Sequence, residues 1–289
     1  MKKVLSLIFI ALLSILTSSQ TVYKEQDKEI FISKIKFAAD KRLAQKSINE
    51  IIAEIGKSFI GTDYKAHTLE KEGDERLVVN LRGFDCTTFL ENILAFARCI
   101  KSGKTSFEDF QDELIKIRYR NGVIDKYPSR LHYFSDWIYD NSKKRIVEDI
   151  TKKMGGIICS SKVGFMTENR NEYNQIKDND EFFNRIRKQE DEINKREYLY
   201  ISKNKVHEIE SKIQSGYLIA ITTNISGLDI SHVGIAIKTD DNRIHLLHAS
   251  SSGVKVQISE KTLINYLSGN KTQTGIIVLK PLELTSNEN

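Results

Sequence analysis

Three cysteines, Cys86, Cys99 and Cys159, stand out among the groups in this 289-residue chain that could do covalent chemistry. A lone cysteine is more often a buried structural residue than a nucleophile. Cys86 has a position that argues for chemistry. It lies in Gly83-Phe84-Asp85-Cys86-Thr87-Thr88-Phe89-Leu90-Glu91-Asn92, and beyond it Phe89, Ile93, Phe96, Ala97 and Ile100 recur at helical spacing. A buried helix is therefore expected to start at or just after the cysteine. The first-turn amides of a helix are unpaired and carry its positive dipole end, so the position favours thiolate over thiol and offers donors to an oxyanion.

A thiol nucleophile needs a base, and the C-terminal region supplies candidates. Ser231-His232-Val233-Gly234-Ile235-Ala236-Ile237 places a histidine at the start of an expected strand, and Ile244-His245-Leu246-Leu247-His248-Ala249-Ser250 reads as the next. The two read as a hairpin. His232 and His248 are an even number of residues apart, so an odd-length loop centred on Asp240 makes them direct partners on one face. One imidazole could then orient the other, while His245 points to the opposite face. Cys86, His232 and His248 could in principle hold zinc, but neither C-x-x-C nor H-E-x-x-H spacing occurs, and no metal is expected. No phosphate-cradling glycine loop or dinucleotide fingerprint appears either, so no cofactor is expected.

The elements that must position these residues fall into regions. Lys2 and Lys3 precede an apolar run from Val4 to Leu16 and then Thr17-Ser18-Ser19, the pattern of an export signal over residues 1–19. The run is shorter than the roughly 20 residues that span a bilayer, and it contains no cysteine for a lipid anchor. A periplasmic or extracellular protein with no stable membrane anchor is expected. In that compartment thiols normally pair, so an odd number of cysteines leaves at least one free. Residues 20–289 read as a single domain with two amphipathic helices between 25 and 59. A polar, mostly helical insertion follows from about 101 to 215, with helices near Ser106–Arg118 and Asp180–Arg196. Strands are expected at Tyr217–Thr222, His232–Ile237, Ile244–Ala249, Val254–Ile258 and Gly275–Leu279, an antiparallel sheet. With 40% hydrophobic residues the chain can bury a substantial core, and a formal charge of +5 that includes the leader lysines is too balanced for a nucleic-acid binder.

Taken in order, Ile55-Gly56-Lys57, Gly61-Thr62-Asp63-Tyr64, Phe84-Asp85-Cys86-Thr87-Thr88-Phe89, Ser231-His232-Val233-Gly234-Ile235 and His248-Ala249-Ser250 resemble the NlpC-type cell-wall cysteine hydrolases. Ser129-Arg130-Leu131-His132-Tyr133, Ser135-Asp136-Trp137 and Gly227-Leu228-Asp229-Ile230 bring the chain closer to the N-acetylmuramoyl-L-alanine amidase-like branch. The resemblance implies an α+β, papain-like fold, with the nucleophile at the start of a helix packed on an antiparallel sheet. It implies Cys86 as nucleophile, His232 as base, His248 as the group that fixes its tautomer, and Tyr64 as an oxyanion donor. Ser231, Arg130, His132, Tyr133, Asp136 and Trp137 are then the candidates for binding substrate, although the last five could equally form a capped surface loop. The implied substrates are muropeptides, acted on by a monomer.

Departures from the pattern are visible too. Lys65-Ala66-His67-Thr68 stands where smaller relatives have a glycine pair, and Gly216-Tyr217 and Ile201-Ser202 read as losses of turn stability. The scissile bond stays open between the lactyl–L-alanine amide and the γ-D-glutamyl–diamino acid bond, and a non-catalytic wall-binding module is a further alternative. An acyltransferase would expect exposed apolar helices near the site, and a transglutaminase an aspartate as third residue.

Overall fold

The β-rich end of the chain forms antiparallel strands because its Ile, Val, Leu and Ala side chains can be buried on both faces of a sheet. In the computed structural model, which describes residues 21–284, the segment read as an export signal lies outside the described residues. The elements run α1 (Glu25–Asp40), α2 (Ile48–Lys57), β1 (Asp63–Tyr64), β2 (Gly83–Phe84), α3 (Cys86–Ser102), α4 (Phe107–Arg118) and α5 (Phe134–Lys143). They continue β3 (Val147–Asp149), β4 (Ile157–Ile158), α6 (Phe165–Glu168), α7 (Asp180–Asn194), β5 (Leu199–Ser202), α8 (Val206–Ile209) and β6 (Leu218–Thr223). The end is β7 (Ile230–Lys238), β8 (Ile244–Ser250), β9 (Lys255–Thr262), α9 (Leu263–Ser268) and β10 (Gln273–Pro281).

The fold is mixed α+β. Among the described residues the sheet order is β2-β1-β9-β8-β7-β6-β10-β5-β4, with β3 also paired to β10. The central ladders are antiparallel, whereas β1 and β2 pair in parallel at one edge. Helices α1 to α4 cover one face through a cluster that includes Phe31, Phe96, Phe107 and Phe110, with Phe96 and Phe110 centroids 4.6 Å apart. The other face is covered by α8 and α9, through Val206, Ile209, Leu263 and Leu267. No helix among the described residues is long and apolar enough to cross a membrane.

Two expectations are revised by the packing. The stretch read as an insertion is partly core: Phe107, Phe110, Leu114, Ile117, Phe134 and Trp137 are buried in the main cluster, and β3 and β5 join the sheet against β10. Their charged neighbours mask this in the sequence, since half of α4 faces water. Gly216-Tyr217, read as a weakened turn, is instead a required one. Gly216 has φ +89°, a Cβ there would lie 1.9 Å from the Asn49 carbonyl oxygen, and its N–H donates to the Ala236 oxygen at 2.8 Å. Ile201, the other supposed loss, sits in β5 opposite Ile276.

Ion pairs tie the nucleophile's helix to α4, Arg98 with Glu113 and, more deeply buried, Arg118 with Glu91. Arg118 donates to Glu91 at 2.7 Å and to the Val78 carbonyl at 2.8 Å, with both charged side chains almost fully buried. Removing one partner leaves a buried charge uncompensated, so Arg118→Ala is expected to cost about 3–5 kcal/mol, read as a lowered denaturant midpoint. A loss below about 1 kcal/mol would contradict this.

Candidate active site

Helix α3 starts where the sequence says it should, for a reason visible at its cap. The Asp85 carboxylate accepts from the Thr88 amide at 2.7 Å, and the Thr88 hydroxyl accepts from the Asp85 amide at 3.0 Å. This reciprocal box stops the helix at Asp85 and makes Cys86 its first residue, with an amide that has no intrahelical acceptor. The helix packs on β7 and β8. Its thiol lies 4.0 Å from the Thr87 hydroxyl, and the Val233 amide, next in chain to His232 and near the end of β7 where the ladder to β8 has already stopped at Ile235–Leu247, pulls the thiol pKa down. Tyr64 reaches the same place, since β1 pairs Tyr64 with Phe84, two residues before the cysteine, and burial, with a smaller contribution from Cys86, raises its phenol pKa.

The histidine pair forms, one step out of the expected register. The loop closes with the Thr239 amide donating to the Arg243 oxygen, Asn242 takes a left-handed φ of 63°, and the centre is Asp241 rather than Asp240. Extending the Ile235↔Leu247 register sets Gly234, not His232, level with His248. The histidines are therefore diagonal neighbours, still on one face and within reach. His232 Nε2 and His248 Nδ1 are 2.6 Å apart, with the rings edge-on at 86°. A bulge aims the first ring: β6 pairs Ile221 with His232 and Thr222 with Ile230, leaving Ser231 as the extra residue. His245 lies on the opposite face, bonded through Nδ1 to the Ser259 carbonyl at 2.8 Å.

Electrostatics reverse one expectation. Burial pushes the Cys86 thiol up to about 11, with the Asp85 charge adding to it, against the opposing pull of the Val233 amide and the Thr87 hydroxyl. Desolvation at the packed helix start thus outweighs the dipole, and the resting form is thiol. Burial, then the neighbouring His248, brings His232 down to about 3, and burial brings His248 to about 4. The thiol and both imidazoles are uncharged at rest. Folded values below the ordinary histidine value of about 6.5 mean the unfolded chain binds protons first as pH falls, so this stability is present above about 6.5 and lost through the folded values. The melting temperature is accordingly expected to fall between pH 7 and pH 4, and to fall less steeply in His248→Gln; a flat profile would contradict it.

The sequence profile of the AmiA-like family, described as N-acetylmuramoyl-L-alanine amidase-like, matches residues 54–276, a span that holds Tyr64, Cys86, His232 and His248. The chain belongs to this amidase-like family. The crystal structure of an N-acetylmuramoyl-L-alanine amidase from Bacteroides uniformis ATCC 8492 is similar at 37% identity and a TM-score of 0.77, covering 81% of this chain and 98% of that one. A Bacteroides fragilis structure described as a xylanase is similar at 38% identity and a TM-score of 0.73, covering 78% and 98%. A Legionella pneumophila protein shares the fold at 24% identity and a TM-score of 0.67, covering 89% and 95%. No curated protein matches the chain.

In this amidase-like protein the residues read as a binding wall divide. Arg130 and His132 line a cavity of about 190 Å³ beside the nucleophile, together with His67, Asp85 and Thr87. Arg130 donates to Glu70 at 2.7 Å and to the Leu69 carbonyl at 3.2 Å, and its guanidinium lies 4.9 Å from the Tyr127 ring centre. His132 Nε2–H donates to the Tyr127 carbonyl at 3.0 Å, and burial holds the ring well below the ordinary histidine value. The other three belong to the interior instead. Tyr133 donates to Glu190 at 2.7 Å and accepts from the Met166 amide, Asp136 joins Arg120 to Arg196, and Trp137 stacks on Phe134 at 4.7 Å with no exposed surface. Ser231 turns its hydroxyl to the Ile221 carbonyl at 3.4 Å.

Tyr266 is the residue that the motifs do not announce. Its ring lies 6.2 Å from that of His232 and 5.5 Å from that of His248, and burial, with a smaller contribution from Cys86, raises its phenol pKa. The signal in the sequence is weak: Leu263, Tyr266 and Leu267 at helical spacing after a threonine cap. Cys86, Cys99 and Cys159 are all free thiols, and burial pushes Cys99 far above the ordinary range.

Proposed function

We propose that this protein is a cysteine amidase of peptidoglycan fragments, exported from the cytoplasm and hydrolysing the amide between the lactyl group of muramic acid and L-alanine. The observation that carries this reading is the placement of Cys86 at the start of a helix packed on β7, the strand that carries His232, whose ring is held by His248. A helix-borne thiol packed on a strand that carries its base is the arrangement of a papain-like hydrolase. The groups gathered here are a thiol, two imidazoles and two phenols, with Asp85 engaged as a helix cap. Glycoside hydrolysis needs paired carboxylates, so the amidase family and its Bacteroides uniformis relative are the better guide.

His232 Nε2 is engaged by His248, so Nδ1 serves the thiol. As sulfur attacks the carbonyl, the thiol proton passes to Nδ1, and the imidazolium hands it to the departing L-alanine nitrogen. Water then hydrolyses the thioester with His232 again as base. The Cys86 amide and the Tyr64 hydroxyl donate to the oxyanion. Tyr64→Phe is expected to lower kcat about 10²- to 10³-fold with little change in KM. An unchanged kcat would remove Tyr64 from the oxyanion site.

Hydroxylamine tests the covalent step. Added to a digest of N-acetylmuramoyl-L-alanyl-D-isoglutamine, it should divert part of the sugar product into the acyl hydroxamate. Formation of the free acid alone, over a range of hydroxylamine that leaves turnover intact, would argue for direct attack by water.

A further inference from the structure

Helix α9 begins after Thr262, whose hydroxyl accepts from the Asn265 amide at 3.3 Å, and it is pinned to the sheet by Leu263 and Leu267, neither of which is exposed. It packs on β8, β9 and β10, and this brings its one aromatic side chain, Tyr266, against the histidine pair. Three rings then share one corner. The Tyr266 ring lies 27° from the plane of His232 and edge-on to His248 at 88°, while the two imidazoles meet at 86°. Edge-to-face and offset-stacked placements are the ones that aromatic rings favour. The hydrogen bond between the imidazoles, at 2.6 Å, is made without the phenol. A single hydrogen bond at Nε2 leaves the His232 ring free to pivot about that atom. The torsion that turns an imidazole is broad and about two-fold, and a half turn exchanges the edge that carries Nδ1 with the opposite one. Such a turn carries the ring out of its own plane, toward the space that Tyr266 occupies.

We propose that Tyr266 is a positioning residue for the base: its ring, held down by α9, blocks rotation of His232 and keeps water from both imidazoles, so that Nδ1 stays turned to the thiol. The effect on turnover rests on the amidase reading above, whereas the effect on the imidazole does not. The ring is what acts, not the hydroxyl. Burial is the leading cause that keeps both histidines neutral, and Tyr266 is the part of that burial contributed by α9. Taking the ring away admits water to the corner, and a solvated imidazole holds its proton at higher pH. The titratable groups around β7 do not substitute for the ring. Helix α3 brings Cys86 with Asp85 beside it, β8 brings His248, and β1 brings Tyr64 near the cysteine. Strand β6 has no titratable side chain, α2 meets the strand at Gly56 beside Ile235 with its Glu54 and Lys57 paired to each other, and β9 adds the exposed Glu260 and Lys261, of opposite charge.

The test sets Tyr266→Phe, which keeps the ring, against Tyr266→Ala, which removes it. Ring NMR signals of His232, assigned by their loss in His232→Gln, are followed against pH without substrate. The imidazole should titrate near its wild-type value in Tyr266→Phe and at least about one pH unit higher in Tyr266→Ala. On N-acetylmuramoyl-L-alanyl-D-isoglutamine, Tyr266→Ala should lower kcat about 10- to 100-fold with KM within about twofold of wild type, and move the acid limb of kcat/KM upward. Tyr266→Phe should behave as wild type in both respects. Tyr266→Leu, which keeps an apolar side chain on α9, takes the place of Tyr266→Ala if the latter does not melt cooperatively. An unshifted His232 titration in the variant without the ring would overturn the proposal even if kcat fell, because a structural loss alone lowers activity. Equal losses in Tyr266→Phe and Tyr266→Ala would overturn it as well, by assigning the effect to the hydroxyl. The titration needs no turnover, so a wild type that left the lactyl amide uncut would defeat the amidase reading while the His232 titration still decided the role of the ring.

Discussion

Cys86→Ala is expected to abolish amide hydrolysis, lowering kcat on the order of 10⁵- to 10⁶-fold, while the protein still folds. The magnitude follows from the loss of a nucleophile that acts as one unit with its base, for which single removals cost nearly as much as removing the whole set. The fold should survive because α3 is started by the Asp85–Thr88 box rather than by the sulfur, and because the buried Phe89, Ile93 and Phe96 hold the helix on the sheet. A stability loss of about 1 kcal/mol is the expected cost. Circular dichroism and a melting curve establish the fold, and product release from a muropeptide gives the rate. Cys99 and Cys159 provide the control: Cys99 is buried away from solvent, so substitution of either should leave turnover within a few-fold. Comparable turnover by Cys86→Ala and wild type would remove the thiol from the mechanism.

His232→Ala is the second large effect, and its pH dependence separates a base from a merely structural ring. In wild type the thiol is protonated at neutral pH and needs His232 to take its proton as attack proceeds. Because His232 is held down to about 3, the acid limb of kcat/KM should lie well below the ordinary histidine value of about 6.5. Without the imidazole only the small thiolate fraction reacts. Activity of His232→Ala at pH 7 should therefore fall on the order of 10⁴-fold, and then rise about tenfold per pH unit toward the thiol value of about 11. A flat alkaline profile in the variant, or an acid limb near 6.5 in wild type, would contradict the assignment.

Much of this was legible because the relevant signals are local and periodic. The helix after Cys86 and the five C-terminal strands are set by side-chain spacing, and their observed bounds, Ile244–Ser250 for instance, lie within a few residues of the expected ones. Facing of the two histidines was legible as well, since parity survives a shift of the loop centre from Asp240 to Asp241. The exact pairing was not, because it depends on the left-handed Asn242. Strands such as Asp63–Tyr64 and Ile157–Ile158 are too short to have a period, and they exist only because a sheet edge recruits them.

The misplaced residues share a physical cause. Tyr133, Asp136 and Trp137 look like a binding face by composition, but each finds its partner inside the protein, in Glu190, in Arg120 and Arg196, and in Phe134. Glu190 and Arg196, 57 and 60 residues further along the chain from their partners, leave no local trace, and the stacking of Trp137 on Phe134 does not announce its burial. The protonation state of Cys86 was misjudged for the same reason: the dipole of its helix can be read from the chain, whereas burial against β7 cannot. Tyr266 acquires meaning only when α9 brings it against the histidine pair.

The central claim is that Cys86 cuts the lactyl–alanine amide, and the most direct measurement identifies the products of a defined muropeptide by mass spectrometry, with Cys86→Ala as control. The account predicts N-acetylmuramic acid and an intact stem peptide from wild type, and uncut substrate from the variant. Cleavage within the peptide stem, or the same two products from Cys86→Ala, would contradict it.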